Sequence, residues 1–139
     1  MNTIQDEVRI RASASQVYEA LTTQAGYRGW WNKAGDVAET AGGEAKLHFV
    51  KDGTPVDMAF RIDEMKPNES VRWTCVGHDM SSWVGTTLDW RIKEASGTVV
   101  VSFEHAGWKD DAPEPVAQGW KHFLGSLKAY VETGTGQPW

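Results

Sequence analysis

Four histidines, His48, His78, His105 and His122, carry the ring nitrogens that could hold a metal or move a proton near neutral pH. No two stand at the spacing of a metal-binding pair such as H-E-x-x-H, so no metal site is expected. His105 stands out by parity, because it continues the series Val99, Val101 and Phe103 and faces inward with them. From there it could orient a polar ligand group, although a strand-end histidine bonded to backbone or water is the stronger reading. His48 and His122 fall on polar faces. His78 sits in a polar connection with Asp79, Ser81 and Ser82, where nothing fixes a nucleophile against a base. Asp89 and Glu104 alternate outward, and Asp57, Asp63 and Glu64 form no recognisable acid–base pair. Cys75 shares the inward parity of Trp73 and lacks a basic cluster to lower its pKa, so it reads as a small buried hydrophobe. Gly42-Gly43 and Gly134-Thr135-Gly136 match neither a phosphate loop nor a dinucleotide fingerprint, so no cofactor and no catalytic residue are assigned.

The elements that must position these groups follow from periodicity. Ile4, Asp6, Val8 and Ile10 alternate with polar neighbours as a strand does. Ser13 precedes Gln16 by a capping-box interval, and Ala14, Val17, Tyr18 and Leu21 share one helical face. Tyr27, Trp30 and Trp31 repeat as a second, brief helix, which Gly26 and Gly29 weaken by about 1 kcal/mol each. From Gly42 the period changes to two. Ala45 to Phe49, Met58 to Ile62, Val71 to Cys75, Leu88 to Ile92 and Val99 to His105 each alternate, and turn residues separate them. Asp110 to Pro115 has helix-start chemistry, and Val116, Trp120, Phe123, Leu124, Leu127, Tyr130 and Val131 form a stripe that Gly134 ends. The prediction is an α+β chain: about six antiparallel strands in a curved sheet, two short N-terminal helices, and a C-terminal helix of roughly 20 residues, about 30 Å long, to cover one face. Residues 1–139 are expected to form one domain.

Eight tryptophans are a heavy load for 139 residues, and many fall on the inward parity. Phe49, Met58, Phe60, Trp73, Trp90 and Phe103 come from strands, and Trp120 and Phe123 from the last helix. A straight helix across a curled sheet leaves space at its ends, so these side chains would either line a ligand-sized hollow or close it as a dry core. Sequence leaves both open. Tyr27 and His105 would supply polar contacts to a guest, and Trp30-Trp31 would act as a lid, a partner patch or simple packing between helix and sheet.

Fourteen basic against nineteen acidic residues give a formal charge of -5, which disfavours nucleic acid as a partner. The start of the chain lacks a basic-then-apolar leader, and no window reaches the ~18 apolar residues of a membrane span. A lone cysteine suits a reducing compartment, so the cytoplasm is the expected location.

The run Ile10 to Thr22, the pair Trp30-Trp31, and the tail from Gly119-Trp120 through Leu124, Leu127 and Tyr130 to Gly134 resemble the Bet v 1/START-like helix-grip superfamily. Within it they are most similar to the branch of the C-terminal domain of activators of Hsp90 ATPase (AHSA1-like, also grouped as SRPBCC proteins). The resemblance implies a hydrophobic pocket between sheet and long helix, in a superfamily that hosts carriers, receptors, cyclases and cochaperone modules. The eukaryotic activator has a separate N-terminal domain for Hsp90 with no counterpart in these 139 residues. Three functions are therefore expected in this order: noncatalytic binding of a small hydrophobic or amphipathic molecule, an Hsp90-type chaperone-associated module, and an aromatase/cyclase-like enzyme in which His105 transfers a proton.

Overall fold

The structure, a computed structural model, describes residues 2–139. Strand β1 (Ile4–Ile10) leads into helix α1 (Ala14–Ala20) and helix α2 (Gln24–Trp30). Ser13 begins α1 with the expected reciprocal pair: its Oγ accepts from Gln16 N at 3.2 Å, while Gln16 Oε1 accepts from Ser13 N at 2.9 Å. Thr23 caps α2 with one bond, its Oγ1 accepting from Gly26 N at 3.0 Å. The two helices meet closely at Gly26, where a Cβ would stand 2.6 Å from Ala20 O and 2.8 Å from Ala20 Cα.

A seven-stranded antiparallel sheet follows, made with β1 and with β2 (Asp36–Val37), β3 (Glu44–Lys51), β4 (Thr54–Lys66), β5 (Ser70–His78), β6 (Thr87–Ala95) and β7 (Thr98–Ala106). Its order is β1-β7-β6-β5-β4-β3-β2, so the first strand closes onto the last. Periodicity predicts about six strands. The additional one is β2, a two-residue strand on Lys46 and Ala45 that is too short to show a period and is held by tertiary bonds such as Val37 N to Gln24 Oε1. Tight hairpins join β3 to β4 and β6 to β7 through Asp52-Gly53 and Ser96-Gly97, all four residues with positive φ. The register of β4 against β5 shifts between Ala59 and Phe60 and again between Ile62 and Glu64. Such bulges bend a strand and tighten its twist, and they curve the sheet here.

Helix α3 (Glu114–Thr133) lies on the inner face and ends at Gly134, in the left-handed conformation at φ 87°. It buries Trp120, Leu124, Ser126 and Leu127, and Lys128 Nζ ties it to Arg9 O of β1 at 2.7 Å. Between helix and sheet lies a continuous body of rings. Trp31, just past α2, is its hub: it stacks on Trp30 at 5.6 Å and Trp73 at 5.9 Å and meets Trp120 at 5.0 Å. Tyr27, Trp73, Trp90 and Phe103 extend the cluster along the sheet, with adjacent centroids 4.8 to 6.1 Å apart.

The close approach at Gly26 makes it a size-sensitive position, because the nearest atoms are backbone that cannot swing away. Gly26→Ala gains helix propensity of about 1 kcal/mol but forces α1 from α2, and is expected to lower stability by a net 1 to 3 kcal/mol or so. Urea denaturation checks this, and a stabilised variant would mean that the two helices are not tightly apposed.

Candidate functional site

A cleft of about 320 Å³ opens between the first turns of α3 and the β3–β4–β5 side of the sheet. It is at the small end of the range for ligand sites. Phe49 and Lys51 of β3 and Val56 and Met58 of β4 form one wall, and Val116, Gly119, Trp120 and Phe123 of α3 form the other. Trp31 reaches it from the core. His78, at the end of β5, Met80 and Trp83 complete the lining together with Pro113, Pro115, His122 and Trp139.

The sequence builds this opening by running β5 beyond its partner. β5 pairs with β6 only over Ser70 to Thr74, whereas on its other side it stays with β4 as far as His78 opposite Met58. The released connection turns in a 3-10 helix, Ser81–Trp83, which folds Trp83 inward until it is 6 % exposed. Trp83 stacks on His78 with centroids 4.5 Å apart and planes at 20°. On the far side of α3, the segment after Gly134 returns across the α2–α3 junction. Gln137 N donates to Ser126 Oγ at 2.6 Å, and Ser126 Oγ donates to Trp30 O at 2.7 Å. Trp139 N donates to Trp31 O at 2.9 Å, and Asn32 Nδ2 donates to Trp139 O at 2.9 Å. The Trp139 ring is thereby set at the cleft rim, 6.2 Å from both Phe49 and Phe123.

Polar chemistry divides into two groups. His105 is fully buried, and Trp120 Nε1–H donates to its Nδ1 at 3.1 Å. The proton of the neutral ring is therefore on Nε2, which donates to Thr86 Oγ1 at 2.9 Å, and Thr86 Oγ1–H passes on to Trp83 O at 2.6 Å. Both nitrogens are committed. Burial, with the charge of His78 adding to it, lowers the His105 pKa to about 3. His78 differs. Met80 N–H donates to its Nδ1 at 2.7 Å, which puts the proton of the neutral ring on Nε2, a buried atom with no partner among the described residues. Burial lowers the His78 pKa to about 4, against the opposing pull of Asp79. Burial also pushes the Cys75 thiol up to about 11, which keeps it protonated and unreactive. Among the described residues no group of three or more His, Cys, Asp or Glu side chains is arranged to hold a metal.

Of the residues that the sequence selects as lining, Trp31, Phe49, Met58, Trp120 and Phe123 line the cleft. Tyr27, Phe60, Trp73, Trp90, Phe103 and His105 do not; each is at most 1 % exposed, and they fill the interior beside it. The Tyr27 hydroxyl is spent on Leu21 O at 2.6 Å. Trp30 and Trp31 are packed rather than free to swing as a lid. Parity separates inward from outward positions but not the inward rings that meet one another from those that face space. Sequence reasoning missed Trp83, since its surroundings read as a polar loop, and Trp139, which lies beyond the last periodic element. Gly119 was legible only as part of a family-like tail.

The sequence pattern of the family described as activator of Hsp90 ATPase homolog 1-like protein matches residues 11–132. No curated protein matches. Among solved structures, the Aha1 dimer from Colwellia psychrerythraea is 29% identical, with a TM-score of 0.80 over 98% of this chain and 100% of that one. A protein from Chromobacterium violaceum is 23% identical, with a TM-score of 0.81 over 95% of this chain and 99% of that one. An AHSA1-like protein from Aeromonas hydrophila is 18% identical, with a TM-score of 0.74 over 95% and 93%. All share the helix-grip arrangement of curved sheet and long C-terminal helix.

The two buried histidines give the fold an acid response. In the unfolded chain both take up a proton near pH 6.5, whereas in the fold both stay neutral down to about pH 4 and about pH 3. Their contribution is thus complete above pH 6.5 and shrinks as pH falls toward the folded values. His105 alone gives a slope of about 1.4 kcal/mol per pH unit, or about 2 kcal/mol between pH 6.5 and pH 5. Urea titrations at several pH values in that window check this; a flat profile would contradict neutral burial.

Proposed function

Since the chain belongs to the activator of Hsp90 ATPase homolog 1-like family, a branch of the START-like helix-grip proteins, we propose that it binds a small hydrophobic or amphipathic molecule without transforming it. The occupant lies in the cleft between α3 and the β3–β5 region, within a reducing compartment such as the cytoplasm. The observation that carries this reading is Gly119. A glycine inside a helix costs about 1 kcal/mol relative to alanine, and this one lies in the cleft wall with open space within 4 Å of where its Cβ would stand. Any larger side chain there would project into the cleft. Volume sets the scale: a cavity of about 150 Å³ holds benzene, so the cleft takes a single aromatic ring with a substituent or a medium alkyl chain. Longer molecules extend past the Trp139 rim. His105 lies outside the cleft with both nitrogens engaged, so no proton-transfer group is assigned.

A second reading, a chaperone-associated module, is favoured by the likeness over nearly the whole chain to the Colwellia psychrerythraea Aha1 protein. Its test is the ATP turnover of a bacterial-type Hsp90 with and without this protein. A rise of several-fold supports it, and an unchanged rate dismisses it.

Four cleft tryptophans make binding visible in intrinsic fluorescence. Titration with medium-chain methyl ketones and with flavonoids is expected to give saturable quenching. Gly119→Leu should fill the cleft and abolish the response while holding or raising stability by up to about 1 kcal/mol. A variant that quenches like the parent would move the binding site elsewhere, and a parent that never responds would end the carrier reading.

A further inference from the structure

Resting on that binding reading, we propose that the cleft selects ligands carrying an uncharged oxygen acceptor, such as a ketone or ester carbonyl, and that His78 Nε2–H and Trp83 Nε1–H are its two donors. Both atoms are buried with no hydrogen-bond partner among the described residues, and both residues stand in the cleft wall, ring against ring at 4.5 Å. Trp90 and Trp108 also have unpartnered buried N–H groups, but neither lines the cleft. Buried donors are nearly always satisfied, and two on the stacked rings of residues that line one cleft mark where an acceptor belongs.

The hydrogen-bond pattern fixes the polarity of the subsite. Met80 N–H occupies His78 Nδ1, so the neutral ring can only donate from Nε2, and an indole N–H can only donate. A guest group with donors alone, such as an ammonium, finds nothing to accept from it there. Charge then separates the acceptors. Burial keeps His78 neutral, so the pair offers no cation to an anionic guest. A carboxylate guest would be stripped of water there with only two neutral donors in exchange. Lys51, the cation of the lining, is exposed at the mouth. A carbonyl gains the same two hydrogen bonds without that desolvation.

The test uses three probes of matched size and shape, acetophenone, benzoate and 1-phenylethylammonium, titrated into the whole protein and followed by NMR. Acetophenone is expected to bind about tenfold more tightly than the ammonium and at least about threefold more tightly than benzoate, the difference an unpaired buried polar group makes. It should also shift the His78 Nε2–H and Trp83 Nε1–H resonances. His78→Phe keeps a ring stacked on Trp83, and Trp83→Phe removes the indole N–H; each should cut the preference for acetophenone over the ammonium to about twofold, with ammonium affinity unchanged as the sign of an intact cleft. Equal affinities in the parent, tighter benzoate, or cleft shifts at Val116 and Phe123 with the two N–H signals unmoved would each overturn the assignment while leaving binding in place. If no probe moves any cleft resonance, the binding reading falls and this inference with it.

Discussion

A straight helix laid on a curved sheet encloses a volume that neither surface can fill alone, and here flat rings fill it. Trp31 is where this constraint concentrates. It stands past the end of α2, touches rings from α2, from the sheet and from α3, and is 2 % exposed. Rings suit the task because they stack and tilt at many angles while burying large apolar areas on few rotatable bonds. The filling is uneven. Around Tyr27, Trp73, Trp90 and Phe103 it is complete, and toward the first turns of α3 it stops at Gly119. The cleft is the remainder of the packing problem.

The polar groups are unevenly met as well, and Trp90, inside the filled part, has an unpartnered ring N–H. In the filled part, a proton can be traced from Trp120 through His105 and Thr86 to a backbone carbonyl, each donor meeting one acceptor. That chain joins α3 to β7 and to the connection before β6, and it fixes the tautomer of a histidine that resists protonation. At the cleft, His78 and Trp83 have the same residue chemistry without the closure. The difference originates in strand length. β5 continues for four residues beyond its pairing with β6, and the connection that follows has to turn back under it.

Most of the fold was legible because each element carries its own period. Val99, Val101, Phe103 and His105 alternate without interruption, and every one is buried in β7. Ser13 with Gln16 identified the start of α1 to the residue, and Gly134 the end of α3. The family-like tail and the tryptophan pair pointed to the helix grip, which the solved relatives share. The site was less legible. Its lining comes from α3, from three neighbouring strands, from an irregular connection and from the last residue of the sequence, so no window of sequence contains it. Trp83 sits among serines, and its inward turn depends on where β6 stops pairing. Trp139 is placed by bonds from Asn32 and to Trp31 that lie more than a hundred positions away.

Asn32 has a further consequence for the exposed border of the sheet. β2 covers β3 only at Ala45 and Lys46, which leaves the backbone beyond them open to pairing by any extended chain. At His48 the asparagine side chain occupies both positions: its Oδ1 accepts from His48 N at 2.9 Å, and its Nδ2 donates to His48 O at 2.8 Å. One amide thus imitates a neighbouring strand for a single residue and blunts the border against edge-to-edge aggregation, at a place where Val50, 67 % exposed, would otherwise invite a sticky contact.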